Sequence, residues 1–567
     1  MKHLLIPLAF VLGGPVSAQS LIRRIDGVDP GDRRGQALLG GLDFNGDGHA
    51  DLVVGSPFDD ANGLIDNGSV AVVSGATGQP LATRAGLAPD DHFGFALALA
   101  GDLNADGVAD IAVGAPNALG PGGRPGSVRV LSGATFQPLL TVFGEVDGEE
   151  FGHAVAGDFD ENGDGVPDLI VGAPSSDYPL GAAGLQVIDG GYAGLVSGAS
   201  GLVSGRIVFM SAGNRCGYAV ANIGDFNADG DADFAIGVPG PSELVYVGDD
   251  VFTPSGSALA LYGPQSQSGF GSALAGGLDS NGNGRTEIVI GAPFQDAGGF
   301  ADAGVVAVID TGTLLPLALL EGSAANDQFG FSVATLADLN ADGKRELGVG
   351  AKGGSYVAIE DLARGERMSL LDVGVLGFSF GTAVCAAGDF DADGIADYAV
   401  GAPQMAPGAN LLAGSVFVFS SAPWSVAYCT AGTTSNGCNA SLSASGVPSL
   451  SAASGFTLTT LDVEGDKSGL IFYGLSGRTA LPWGISTSFL CVKSPTQRTS
   501  TLSSGGTAGT CTGTLSLDLL DWLATHPAAL GTGASVGTVV CAQCWFRDPP
   551  SPKTTQLSNA LEFILVP

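Results

Sequence analysis

An acid-rich segment that returns seven times constrains this chain more than any other feature. The stretch "GDLNADGVADIAVGAP" (101–116) is matched by "LDFNGDGHADLVVGSP" (42–57), "FDENGDGVPDLIVGAP" (159–174), "GDFNADGDADFAIGVP" (224–239), "LDSNGNGRTEIVIGAP" (278–293), "ADLNADGKRELGVGAK" (337–352) and "GDFDADGIADYAVGAP" (388–403). Each contains D-x-[DN]-x-[DN]-G-x-x-[DE], then an apolar run. A glycine stands eight residues before every first aspartate: Gly35, Gly94, Gly152, Gly217, Gly271, Gly330 and Gly381. That register makes Asp160, not Asp158, the start of the third loop. Self-similarity at this period is the mark of a repeat architecture.

The pieces within a repeat have strand length. In the second, "FGFALALAGD" (93–102) leads into the acidic loop and "DIAVGAP" (110–116) leads out, followed by "GSVRVLSG" (126–133) and "PLLTVFG" (138–144). Such short runs, bounded by Gly, Pro, Asn and Asp, read as antiparallel strands joined by turns. Four strands make one blade, and seven repeats predict an all-β, seven-bladed β-propeller over 19–421. No run keeps a 3.6-residue apolar stripe long enough for a helical solenoid. The last repeat lacks its fourth strand, whereas the N-terminal "LIRRIDG" (21–27) aligns with "PLATRAG" (80–86). Residues 21–26 are therefore expected beside 414–420, closing the ring and removing an exposed sheet edge.

Oxygen side chains at alternating positions repel one another unless a cation lies between them. Positions 1, 3, 5 and 9 offer side-chain oxygens, position 7 its backbone carbonyl, and the glycine at 6 permits a sharp turn. This is the ligand logic of calcium, which takes 6–8 hard oxygen donors. The expected ligands are Asp43, Asn45, Asp47, His49 and Asp51; Asp102, Asn104, Asp106, Val108 and Asp110; Asp160, Asn162, Asp164, Val166 and Asp168; and Asp225, Asn227, Asp229, Asp231 and Asp233. The remaining three loops supply Asp279, Asn281, Asn283, Arg285 and Glu287; Asp338, Asn340, Asp342, Lys344 and Glu346; and Asp389, Asp391, Asp393, Ile395 and Asp397. His49, Val108, Val166, Asp231, Arg285, Lys344 and Ile395 take part through their carbonyls. A polar hairpin turn needs one or two such residues, not four acceptors repeated at fixed spacing. Up to seven Ca²⁺ are expected, with the fifth loop weakest because only Asp279 and Glu287 are charged.

The unit "FG…GD-x-N-x-DG-x-x-D…VGAP" resembles the FG-GAP repeat of the integrin α-subunit propeller and its bacterial relatives, over about residues 20–421. The resemblance implies structural calcium loops between the first two strands of a blade, and ligands meeting the opposite face. It departs from an integrin in having no inserted ligand-binding domain, no membrane span and no partner-subunit signature. On that opposite face the longest loop, 240–255, is expected to present Tyr246 and Phe252 as candidate ligand-binding aromatics.

The two ends of the chain read differently. "MKHLLIPLAFVLGGPVSAQS" has a basic start, a short apolar run and a small-residue site near Ala18, so 1–18 are expected to be a secretory signal. Net charge is −35, all of it carried by 19–424. That acidity excludes nucleic acid, whose phosphates need clustered Lys and Arg. After a linker at 422–428, residues 429–567 hold six of the eight cysteines and read as a small β-sandwich-like module. Proximity along the chain pairs Cys429 with Cys438 and Cys491 with Cys511. Cys541 and Cys544 lie in a strand pattern, where C-x-x-C points its two thiols to opposite faces.

No catalytic constellation is expected. "GFSFG" (377–381) satisfies G-x-S-x-G but lacks the strand–turn–helix setting of a nucleophile elbow, and the chain has no H-E-x-x-H, Walker loop or dinucleotide fingerprint. The reading is an exported, calcium-binding scaffold at or beyond the cell surface for a glycan or protein ligand. The alternatives are a purely structural envelope or matrix module and a polysaccharide-degrading enzyme.

Overall fold

The computed structural model describes residues 20–567 apart from 181–184, 210, 229, 249–258, 340–342, 373–378, 393, 408–409, 421–425, 446–447, 449–453, 484–487, 531–533, 535–537, 550–553 and 566–567. The expected signal (1–18) and Phe252 lie outside the described residues.

The fold is all-β. Seven four-stranded antiparallel sheets follow one another along the chain. The second runs Ala96–Gly101, Asp110–Ala115, Ser127–Leu131, Pro138–Phe143, in spatial as in sequence order. The first strand of every sheet packs against the first strand of the next, and the seventh against the first, so these strands form the inner ring of a propeller. The second strands are buried at every position, for example Asp110–Ala115 and Asp397–Ala402, because sheets cover them on both faces. This explains apolar runs where a one-sided sheet would alternate. The outermost strands are more exposed to water, as in Pro138–Phe143.

The seventh sheet takes its outermost strand from the start of the chain. Ser20–Asp26 pairs antiparallel with Ser415–Ser420, from Ser20 opposite Ser420 to Asp26 opposite Ser415.

Two glycines per repeat set the distance between sheets. The register glycines Gly35 to Gly381 have φ of +82° to +94°, a region that favours glycine. Gly94 donates its N–H to the carbonyl of Gly114 in its own sheet, at 3.1 Å. Its own carbonyl lies against Gly55 of the preceding sheet so closely that a methyl on Gly55 would overlap it. The same contact joins Gly114 to Gly152, Gly172 to Gly217, Gly237 to Gly271, Gly291 to Gly330 and Gly350 to Gly381, and Gly401 returns it to Gly35. Seven equivalent contacts thus run once around the ring.

The loop expected at 240–255 is partly strand: Leu244–Gly248 is the third strand of the fourth sheet. Tyr246 sits in that strand, half-buried, with its ring edge-on to Phe209 at 5.8 Å. It is a packing residue between strands, not a rim aromatic. The third sheet instead carries an extra hairpin, Tyr178–Leu180 with Leu185–Val187.

The expected linker is also shorter than 422–428, since Val426–Tyr428 pairs with residues 560–562 of a C-terminal sheet. That sheet has six strands. A second sheet has three: Ser441–Ser445, Thr457–Val463 and Gly513–Asp518. Leu442, Leu458 and Leu515 of the smaller sheet share one core with Ile471, Phe546 and Phe563 of the larger. A short helix, Leu519–Thr525, starts at Asp518, whose carboxylate accepts the N–H groups of Leu520 and Asp521. The disulfides are Cys429–Cys491 and Cys438–Cys511, not the pairs nearest in sequence. The packing explains the difference. Tyr428 donates its hydroxyl to the Cys491 carbonyl, which brings the two chain segments side by side across 62 residues. Cys541 packs with Phe472 and Leu557 on one face of its strand, Cys544 with Ile471 and Phe546 on the other. No helix among the described residues is long and apolar enough to cross a membrane.

Candidate metal centres

Each acidic loop connects the first two strands of a sheet, so all of them gather at one end of the ring. Their shape comes from hydrogen bonds between side chains and nearby backbone. In the second loop, Asp102 accepts the N–H groups of Asp106 (3.0 Å) and Gly107 (2.8 Å). Asn104 accepts Asp106 N–H and Asp106 accepts Val108 N–H, both at 2.9 Å. Loops one, three and five repeat the set with Asp43, Asp160 and Asp279 at position 1. In the fourth, sixth and seventh loops, Asp225, Asp338 and Asp389 accept the N–H of the glycine at position 6. In all seven loops the position-1 carboxylate is thus fixed by backbone N–H groups, and a carboxylate so held keeps acceptor capacity.

The ninth residue is different: it is buried in every loop. Asp51, Asp110, Glu287, Glu346 and Asp397 are inaccessible, and Asp168 and Asp233 nearly so. Asp51 accepts Phe44 N–H at 2.9 Å with one oxygen and Gly75 N–H at 3.0 Å with the other. Asp110 does the same with Leu103 and Gly133, and Asp168 accepts Asn162 and Gly198 N–H. In these three loops the acid therefore ties its loop to the far end of the third strand. Burial pushes the carboxyls of Asp51, Asp110, Asp168 and Glu287 above the usual range; their backbone donors offset part of this, and the neighbouring loop aspartates add to the rise. Desolvation also acts on Asp43, but the N–H groups of Gly48, Gly46, Asp47 and Asn45 outweigh it and hold its carboxyl low.

Two observations test whether a cation fits. In the seventh loop, carboxylate oxygens of Asp389, Asp391 and Asp397 lie within 4.8 Å of one another. Like charges this close call for a counter-ion. In the fifth loop, Oε1 of Glu287 is buried and accepts no hydrogen bond among the described residues. An all-oxygen, carboxylate-rich set of this kind suits calcium better than zinc or a small octahedral ion. Asp229, Asn340, Asp342 and Asp393 fall outside the described residues.

The position-7 side chains have a role that the sequence did not reveal. His49 Nδ1 lies 3.1 Å from the Phe390 carbonyl in the seventh loop. Arg285 donates to the Phe226 carbonyl of the fourth loop at 3.1 Å, and Lys344 donates to the Asp279 carbonyl of the fifth at 2.9 Å. Each reaches the loop of the preceding sheet. The fifth loop, poorest in carboxylates, thus has Arg285 within it and the Lys344 ammonium against it.

A second set of buried polar groups lies at the opposite end of the ring, three residues before the register glycine. Asp91 accepts the N–H groups of Leu87 and Ala88, Glu149 that of Glu145, and Asp327 those of Ser323 and Ala324. These acids cap the turns into the second, third and sixth sheets. The signal was present in the sequence as an acid three residues ahead of the glycine in four repeats (Asp32, Asp91, Glu149, Asp327).

A family profile described as "FG-GAP repeat" matches residues 34–73, 93–131 and 270–309. Integrin alpha-PS2 of Drosophila melanogaster is 30% identical over 223 residues, covering 36% of this chain and 16% of that protein. Integrin alpha-7 of Rattus norvegicus is 38% identical over 141 residues, 23% of this chain and 12% of the relative. Integrin alpha-V of Gallus gallus is 30% identical over 240 residues, 37% of this chain and 21% of the relative. The matched region spans between 12% and 21% of the length of these relatives.

Proposed function

We propose that this FG-GAP repeat protein, which resembles the integrin α-subunit β-propeller, is an exported calcium-binding scaffold with seven blades over residues 19–421 and a C-terminal module from Val426. Its metal-free face is offered to an extracellular glycan or protein ligand. The observation that carries the calcium reading is the repetition of one loop geometry: position-1 carboxylates folded onto the glycine N–H, and a buried acid at position 9. The proposed ligands are the loop residues named from the sequence, with position 7 acting through its carbonyl. A bound Ca²⁺ would supply positive charge between carboxylates that otherwise repel. Seven ions bring +14 and leave the net charge near −21, acidic enough for solubility.

Export is supported by the N-terminal signal pattern and by two disulfides in the C-terminal module. Binding rather than catalysis is supported by the integrin relatives and by a sequence whose acids are already used by loops and caps. The test is a glycan and extracellular-matrix protein array probed with residues 19–567, in millimolar calcium and in chelator. Saturable binding lost on chelation is the expected result. A folded protein that binds nothing in calcium would contradict the scaffold reading.

A further inference from the structure

Among the six described turns into a sheet, five have a buried acid or amide three residues before the register glycine; the fifth sheet is the exception. It has Ser268 where Asp91, Glu149 and Asp327 stand in other sheets. The carboxylate comes instead from Glu243 of the preceding sheet, whose Oε2 accepts Ser268 Oγ–H and, at 3.4 Å, Phe270 N–H. Glu243 is 5% exposed and has φ +44°, a left-handed conformation uncommon for a residue with a side chain. Its Oε1 accepts no hydrogen bond among the described residues, and the buried Oγ of Ser272 likewise has no partner there. Asp91, by contrast, uses both oxygens, Oδ1 accepting Leu119 N–H.

Glu243 and Ser272 line a cleft of about 510 Å³ between the fourth and fifth sheets, on the face away from the acidic loops. Its other walls include Tyr218, Phe294, Pro241 and Arg215. The Arg215 guanidinium lies over the Tyr218 ring, 5.4 Å from its centre, and Phe294 is 40% exposed. The size suits a small organic ligand, and the mix of aromatic walls with a few polar groups is that of a specific site.

We propose that this cleft binds a neutral, hydroxylated ring, the chemistry of a sugar residue. An anionic ligand would meet the Glu243 carboxylate, and a cationic one the Arg215 guanidinium. A polyol satisfies both: hydroxyl groups donate to Glu243 Oε1 and accept from Arg215, while the C–H face of the ring lies on Phe294 or Tyr218. The buried orphan acceptor discriminates, because a ligand without a donor there leaves it unpaired. This proposal rests on the reading that the face opposite the metal loops is the binding face, and it names the ligand class and the place.

Methyl glycosides of glucose, galactose, mannose and N-acetylglucosamine are the probes, read by saturation-transfer NMR on residues 19–567 in millimolar calcium. At least one should give a saturable signal, weakened tenfold or more by Phe294→Ala and by Glu243→Gln. Phe294→Ala should leave the melting temperature unchanged, so its effect cannot come from misfolding. A glycoside signal that survives both Phe294→Ala and Arg215→Ala overturns the cleft while leaving a binding scaffold. With no glycoside signal, the matrix-protein array separates the remaining cases. Binding there overturns only the sugar, and silence on both overturns the cleft and the scaffold reading together.

Discussion

Gly114 and Gly152 approach each other across two sheets because neither carries a side chain. Gly114→Ala would drive a methyl into the Gly152 carbonyl, a backbone atom that cannot move aside. The expected loss is about 3 kcal/mol or more in a urea melt. Gly107, in the second acidic loop, has φ +87° and open space around it, so Gly107→Ala should cost only about 1–2 kcal/mol. Equal losses would mean that the inter-sheet contact adds nothing. The register of these glycines was plain in the sequence, but its cause was not, since each contact joins residues from two different repeats. The buried position-9 acids give a second residue-scale expectation. Their folded carboxyl groups titrate above the unfolded value, so the native state holds more protons in the window between the two. Without metal, stability should therefore rise as pH falls toward the unfolded carboxyl value of about 4. In calcium the slope should reverse, because protons then compete with the ion. Melting curves in chelator across that range check the sign, and a metal-free protein that loses stability toward pH 5 would refute it.

At the scale of elements, the acidic loop was the most legible part of the chain, because its ligand spacing is local. What a loop touches beyond its own repeat was hidden. Lys344 and Arg285 illustrate this: their charges are visible in the sequence, but their placement against neighbouring loops follows only from the ring. The fifth loop combines an orphan oxygen on Glu287 with these two cations and only two carboxylates. Asn281→Asp should therefore add one tight site in a calorimetric calcium titration, whereas an unchanged count of ions would show that the loop's charge does not limit it. Cysteine pairing failed for the same reason that long-range contacts did. Cys429 and Cys438 are close in sequence, but the strand beginning at Val426 joins a sheet whose neighbours include Cys491. Tyr246 was misread because a strand of five residues inside a long Gly- and Pro-bounded segment gives little alternation to see.

For the whole molecule, closure is the decisive property. The strand Ser20–Asp26 covers Ser415–Ser420 and buries Ile25, so the first and last strands of the ring share one sheet. Deleting residues 19–26 should remove on the order of 5 kcal/mol through lost burial and ladder hydrogen bonds. The loss should spread to the entire ring, because each sheet is held only by its neighbours. A truncated protein with an unchanged melting temperature would show that the ring does not depend on this strand. The acidic end of the ring adds a further condition, for a molecule of net charge −35 concentrates carboxylates where seven loops meet. The most direct test of the account is the melting temperature of residues 19–567 in chelator and in increasing calcium. Each site should add about 2.7 kcal/mol when calcium is a hundredfold above its Kd, giving a large, saturable rise that magnesium at equal concentration does not reproduce. Identical melting curves in chelator and in millimolar calcium would contradict the claim that these acids are held together by metal.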